Sequence, residues 1–208
     1  MEALAARLRS GLLQLELQPQ GLEEPLLAYL ALLRKWNKAY NLSAVRDPEE
    51  MVTRHLLDSL VILPFLRGPR LLDVGTGAGL PGIPIAIARP ELAVVLLDSN
   101  GKKTRFLRQV VLEMGLRNVE VVDQRVESYQ PADAFSDITS RAFSELGEFI
   151  RLTRSLLAPG GHWLAMKGRL DQNELAEIGA ERGKLHVHQL RVPGLDAERH
   201  LIELSLAD

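Results

Sequence analysis

Leu4, Leu8, Leu12 and Leu15 recur at spacings of three and four, the period of a helix with one apolar face. After a loop around Pro19 the same period returns in Leu26, Leu27, Leu30, Leu33 and Trp36 and predicts a second helix. A third is announced by Asp47 as N-cap, Pro48 at the first helical position and Glu50 where a capping box closes; it should run to about Leu63, before Pro64. From Arg70 the texture changes. Short runs rich in Val, Leu and Ile alternate with helical patterns, which predicts strands near 70–74, 92–98, 119–123, 136–141, 162–166, 185–192 and 199–206. Strands alternating with helices build a parallel sheet covered on both faces. Only the turn VPGLDAE separates the last two strands, too short for a parallel crossover, so they should form an antiparallel hairpin. The expected fold is α/β: a seven-stranded, mostly parallel sheet over residues 67–208, with residues 1–66 as an N-terminal helical extension.

The chain of 208 residues is long enough for one full-sized domain with its own core. It contains no cysteine, which excludes a thiolate nucleophile, a disulfide framework, a zinc-thiolate site and an iron–sulfur cluster. With 25 Lys and Arg against 27 Asp and Glu, the net charge of -2 speaks against a surface that binds nucleic acid all over, and leaves room for a local basic patch. The longest apolar runs, such as Leu92–Leu97, have strand length and fall short of a membrane span. The polar start carries no secretory signal, so a cytoplasmic protein without membrane contact is expected.

Candidate chemistry starts at Asp73–Gly79, DVGTGAG, at the end of the first strand and ahead of the apolar helical stretch LPGIPIAIA. Glycine serves where φ is positive or a ligand approaches the backbone, and Gly75, Gly77 and Gly79 at alternate positions should leave amide N–H groups free at a helix N-terminus. The next strand ends in Asp98, 19 residues after Gly79, where a carboxylate can accept from both ribose hydroxyls of an adenosine cofactor. A nicotinamide site is the main rival, since Gly77–Gly82 matches GxGxxG; that frame starts two residues late and puts Pro81 inside the tight turn. Asp73 is unfavourable beside a pyrophosphate and harmless beside a cationic sulfonium. The loop, the acid and a sheet ending in a hairpin resemble the Rossmann-like class I S-adenosyl-L-methionine (SAM)-dependent methyltransferases.

Without cysteine, cytosine C5 methylation is excluded. The (N/D)PP(Y/F) loop usual for exocyclic amines is replaced by Ser140-Arg141-Ala142-Phe143. A ring nitrogen with a free lone pair, such as guanine N7, needs no base, and catalysis reduces to holding it in line with the methyl group. The blocks WNKAYNLSAVRDPEEMVTRHLLDSL (36–60), LLDVGTGAGLPGIPIAIARPE (71–91), LLDSNGKKTRFLRQV (96–110), SRAF (140–143), MKG (166–168) and ERHL (198–201) resemble the RsmG family, formerly GidB. These are bacterial 16S rRNA guanine-N7 methyltransferases acting at nucleotide 527 in the 530 loop. The resemblance implies SAM as cofactor and 16S rRNA or the 30S subunit as partner. It implies cofactor contacts at Gly75, Leu80, Val126, Glu127 and Arg141, with Asp98 as the ribose acid; the loop itself adds Asp73, Gly77 and Gly79 as expected cofactor residues, and Arg141 is also expected to position the acceptor. It implies RNA contacts at Lys102, Arg125, Lys167 and Arg199; Arg105 is added from its place on a basic helix face, and no metal is expected. Two readings remain beside it: a silent RNA- or ribosome-binding protein with this fold, and a methyltransferase for a small molecule.

From Ser99 to Leu112 there are four basic residues and no acid. At 100° per residue Phe106, Leu107, Val110, Val111 and Met114 face the sheet, while Lys102, Arg105 and Arg108 share the opposite arc. A basic helix face is ordinarily just solvated, but beside the cofactor acid it suits phosphates. With 5% aromatic residues a stacking platform is not expected. His55, Asp58 and Ser59 sit at i, i+3 and i+4 without a glycine elbow, so they predict a hydrogen-bonded helix face that packs under the cofactor loop or else lines the pocket, rather than a triad. His186 and His188 alternate on a strand with no third ligand nearby, too few for a metal site. Arg141 and Lys167 each end a strand at the edge where open sheets bind ligands.

Overall fold

Along β1 (Arg70–Val74) and β2 (Ala93–Asp98) successive side chains leave opposite faces of the sheet, and each face is buried in its own core. Leu71, Val94 and Leu96 pack with the N-terminal helices; Leu72, Val74, Val95 and Leu97 pack on the other side. Strands apolar on both faces belong inside a parallel sheet. The computed structural model describes residues 2–141, 143, 145–179 and 184–205. Ala142 of the SRAF segment and Leu206, the end of the last predicted strand, lie outside the described residues. Five further strands, β3 (Val119–Asp123), β4 (Phe135–Ser140), β5 (Leu157–Lys167), β6 (Lys184–Gln189) and β7 (His200–Ser205), complete a sheet in the order β3-β2-β1-β4-β5-β7-β6. β1 to β5 are parallel, and β7 runs antiparallel between β5 and β6. The order reverses at β1, so a crevice opens at the carboxyl ends of β1 and β4.

β5 begins five residues before the predicted strand and runs through Pro159-Gly160-Gly161. Its pairing with β4 shifts register between Phe135 and Asp137, so an irregularity accommodates residues that read as a turn.

The helices are α1 (Glu2–Gln14), α2 (Glu23–Tyr40), α3 (Pro48–Met51), α4 (Asp58–Leu60), α5 (Gly82–Ala88), α6 (Gly101–Met114), α7 (Leu146–Thr153) and α8 (Gln172–Gly179). The predicted third helix is α3 and α4 joined by a π-helical turn, Val52–Leu57. Asp47 caps it as expected, accepting from the amides of Glu49 and Glu50, while the Glu50 carboxylate lies 3.9 Å from Arg54. It stops at Leu60 rather than Leu63, because Pro64 lacks a donor and disfavours α geometry before it; Leu63–Phe65 form a tighter turn. Leu8, Leu33, Leu57, Ile83 and Phe106 belong to one cluster, so the N-terminal helices share a core with the sheet face that carries the glycine loop. Phe149 of α7 and Trp163 of β5 fill the opposite core.

Candidate cofactor and acceptor site

Gly75, Gly77 and Gly79 all have positive φ, +67°, +62° and +91°, a region costly for other residues. Gly79 is also closely packed: a Cβ there would lie 2.5 Å from Ile83 and 2.8 Å from Leu107. The expectation of free amides is corrected. Gly75 and Thr76 donate to the Leu97 carbonyl, Gly77 to Asp98 Oδ2 at 2.9 Å, and Gly79 and Leu80 to the Thr76 carbonyl. The chain turns back on β2, whose end accepts three of these bonds, and the loop closes on its own Thr76 carbonyl for the other two. A pyrophosphate needs amides pointing outward, which a loop that spends these five does not offer; a sulfonium has no such need.

Asp73 lies under this loop, fully buried. Its Oδ2 accepts from the Thr76 hydroxyl at 2.6 Å and the Gly82 amide at 2.9 Å, and its Oδ1 has no partner. Burial raises its pKa to about 6, against the lowering effect of those two hydrogen bonds. Asp73 therefore shapes the loop from below. Leu80 likewise points into the core and packs there. From the other layer, the buried Tyr29 of α2 donates its hydroxyl to the Ala78 carbonyl at 2.7 Å, a tie between helices and loop that no sequence pattern announced.

Asp98 ends β2 almost buried. Its Oδ1 accepts from the Asn100 amide at 2.9 Å, Oδ2 takes the Gly77 amide, and Lys103 Nζ stands 3.7 Å away. An ionised carboxylate has about four acceptor positions, so two remain for ribose hydroxyls. Asp98 and Gly75 line a cavity of about 240 Å³ together with Arg125, Val126, Glu127 and Phe143. Arg125 thus lines the same cavity as Asp98, apart from Lys167 and Arg199. These features fit an adenosine cofactor.

Arg141 lies elsewhere. A second cavity of about 330 Å³ is lined by His55, Asp58, Arg141, Lys167 and Arg199, with Arg54 at its side. Sheet register explains part of this gathering, since Lys167 at the end of β5 pairs with His200, the neighbour of Arg199. Asp58 Oδ1 accepts from Arg199 Nε at 2.8 Å and Oδ2 from Arg141 Nη1 at 3.2 Å. His55 Nε2 is 2.7 Å from the Ser43 hydroxyl. Burial, then the Arg141 charge, lowers its pKa to about 4, so the ring is neutral at physiological pH. Ser59 donates back to the His55 carbonyl and belongs to the helix, as the absence of an elbow implied. Arg141 and Phe143, two residues apart after β4, line different cavities, and the Ser140 hydroxyl binds the Val74 carbonyl to hold the ends of β4 and β1 together.

On α6 the two arcs fall as the period predicts, with Phe106, Leu107 and Val110 buried and Lys102, Arg105 and Arg108 exposed. The three cations line a shallow groove with Tyr40 and Asn100. His188 Nε2 pairs with Glu203 at 2.7 Å. Among the described residues no three His, Asp or Glu side chains converge as metal ligands, and no helix is long and apolar enough to cross a membrane.

The family model described as GidB, rRNA small subunit methyltransferase G, matches residues 22–202. Proteins named ribosomal RNA small subunit methyltransferase G are similar over most of the chain. That of Chromobacterium violaceum is 57% identical over 206 residues, covering 97% of each chain. That of Stutzerimonas stutzeri is 59% identical over 181 residues, covering 86% of this chain and 84% of its own. Among solved structures, the S-adenosylmethionine-dependent methyltransferase SibL superimposes with a TM-score of 0.60 at 17% identity, covering 98% of this chain and 77% of that one. The N-methyltransferase NodS of Bradyrhizobium japonicum, in complex with S-adenosyl-L-homocysteine, gives 0.57 at 14%, covering 86% and 98%. At such identities the structural likeness carries the fold alone.

Proposed function

The chain belongs to the rRNA small subunit methyltransferase G (GidB) family and is a SAM-dependent methyltransferase; on that premise we propose that it methylates N7 of guanine 527 in the 530 loop of 16S rRNA. The observation that carries this reading is the pair of cavities flanking the segment after β4. One has the glycine loop, Asp98 and the Val126-Glu127 pair; the other has four cations around one acid. When bound, SAM supplies an electrophilic methyl group on a sulfonium. Asp98 receives the ribose hydroxyls, Gly75 lets the cofactor approach the backbone, and Val126 and Glu127 border the base. Guanine N7 has an in-plane lone pair and no proton, so no residue has to act as a base. The chain's task is to hold the target guanine in the second cavity, with Arg141 beside the reacting atoms and Lys167 and Arg199 on the flanking phosphates. The α6 face, Lys102 and Arg105, takes phosphates further along the RNA. Action on ribosomal RNA supports a cytoplasmic enzyme.

Incubation with labelled SAM and 30S subunits or naked 16S RNA, followed by reduction and strand scission, tests the proposal. A single break at guanine 527 is expected. Label absent from the RNA would refute it.

A further inference from the structure

The second cavity poses an electrostatic problem that the proposed reaction sharpens. Arg54, Arg141, Lys167 and Arg199 line it, and Asp58 is the one acid among the described residues that line it. The Asp58 side chain is only 3% exposed, while those of Arg141 and Arg199 are 28% and 24% exposed. Each carboxylate oxygen takes one guanidinium, and backbone carbonyls complete the fixation. Arg141 Nη1 also donates to the Arg54 carbonyl at 3.1 Å, and Arg199 Nη1 to the Glu198 carbonyl at 2.9 Å. Arg141 and Arg199 stand 83 and 141 positions from Asp58 in sequence, and only the fold makes the carboxylate their meeting point. A guanidinium has five N–H donors, so Arg141 Nη2 and Nε and Arg199 Nη2 remain to face an acceptor. Asp58 follows directly on the π-helical turn, a rare geometry that recurs at functional sites.

We infer that Asp58 is a positioning residue for methyl transfer, holding Arg141 and Arg199 side by side and offsetting their charge as the guanine becomes cationic. The inference rests on the reading given under Proposed function. In that reaction the N7 lone pair forms the new N–CH₃ bond, the S–CH₃ bonding pair returns to sulfur, and the positive charge passes from the sulfonium to the base. No proton moves. A cavity lined by cations alone would oppose charge arriving on the guanine, whereas it favours the RNA phosphates throughout. Asp58 thus separates two quantities that a purely structural residue would move together. It weakens RNA binding slightly by its charge, and it speeds the chemical step. His55, neutral because it is buried, adds no further cation.

The test compares Asp58→Asn with the unaltered enzyme in single-turnover methylation of 30S subunits or 16S RNA, in RNA binding by anisotropy and in cofactor binding by calorimetry. Asp58→Asn should slow transfer by about 30-fold while RNA affinity stays the same or rises by about two-fold and cofactor affinity is unchanged. Asp58→Glu should recover part of the rate. In the Arg199→Gln background, adding Asp58→Asn should cost much less than it does alone, because the two act as one unit. Transfer within about three-fold of normal, or parallel losses of rate and RNA affinity, overturns the inference. If the asparagine variant does not fold, Asp58→Glu in the same cycle decides it, with fully additive losses overturning it. An unaltered enzyme that leaves guanine N7 unmethylated overturns the function and this inference together; an active enzyme with an equally active Asp58→Asn overturns the inference alone.

Discussion

Replacing Tyr29 with phenylalanine removes one oxygen from the boundary between α2 and the glycine loop. The side chain is fully buried and its hydroxyl donates to the Ala78 carbonyl at 2.7 Å. Burial pushes the hydroxyl pKa up, so it remains a donor at every accessible pH. The net value of a neutral hydrogen bond is about 1 kcal/mol, and a carbonyl left without a partner in a dry interior costs about 1–3 kcal/mol. With the ring retained, no large cavity is added, so a loss of about 2 kcal/mol is expected. For a chain of this length that corresponds to a fall in Tm of roughly 4–8 °C. The freed carbonyl lies between Gly77 and Gly79, whose positive φ values define the loop. Part of the loss should therefore appear as a three- to ten-fold weaker affinity for SAM, measured by calorimetric titration beside a melting curve. A lowered Tm with full cofactor affinity would mean that the bond stabilises the chain without setting the loop. If neither changes, the reasoning from this bond is refuted.

Gly79→Ala should destabilise the chain by about 2–4 kcal/mol, through positive φ and collision with Ile83 and Leu107, read as a shift of the denaturation midpoint. Arg141→Ala should lose methyl transfer by about 100-fold while the melting curve stays cooperative, since Asp58 keeps Arg199; an unchanged single-turnover rate would remove Arg141 from its assigned role. RNA affinity should fall with salt at a slope of roughly -2 to -4 in log–log form, and Lys102→Ala or Arg105→Ala should each flatten it by about 1. For Asp73, whose pKa is raised to about 6, the folded state holds a proton that the unfolded state has released between pH 4 and 6, so stability relative to Asp73→Asn should rise as pH falls through that window, by at most about 1.4 kcal/mol per unit. His55 acts in the opposite sense. Its pKa is lowered to about 4, so its contribution is present above pH 6.5 and fades on acidification, and NMR titration of the ring should find the low value.

Local physics left strong traces in the sequence where one interaction dominated. Runs of apolar residues marked the strands because a sheet buried on both faces tolerates little else, and the arcs of α6 followed from the 3.6 period alone. Asp47 before Pro48 marked a helix start because a cap involves only neighbouring residues. Where several weak preferences competed, the signal failed. Pro159-Gly160-Gly161 lie ahead of the strand expected from 162, yet β4 draws them into β5 across a register shift. The helix from Pro48 carries no residue that announces a π-helical turn.

Fold class, the glycine loop with its strand-ending acid, and the family were thus written into residue types and spacings, because each shows in local patterns along the chain. The two cavities were not. Tyr29 reaching Ala78 and Arg141 and Arg199 converging on Asp58 join positions 49, 83 and 141 residues apart. No period or motif encodes such meetings; they exist once the sheet order brings the carboxyl ends of β1, β4 and β5 beside the helical layer. The same closure turned the loop amides inward, sent Asp73 beneath the loop and set Arg125 at the cavity of Asp98. A buried polar group takes whichever partner the packed chain offers, and that choice is made by tertiary geometry.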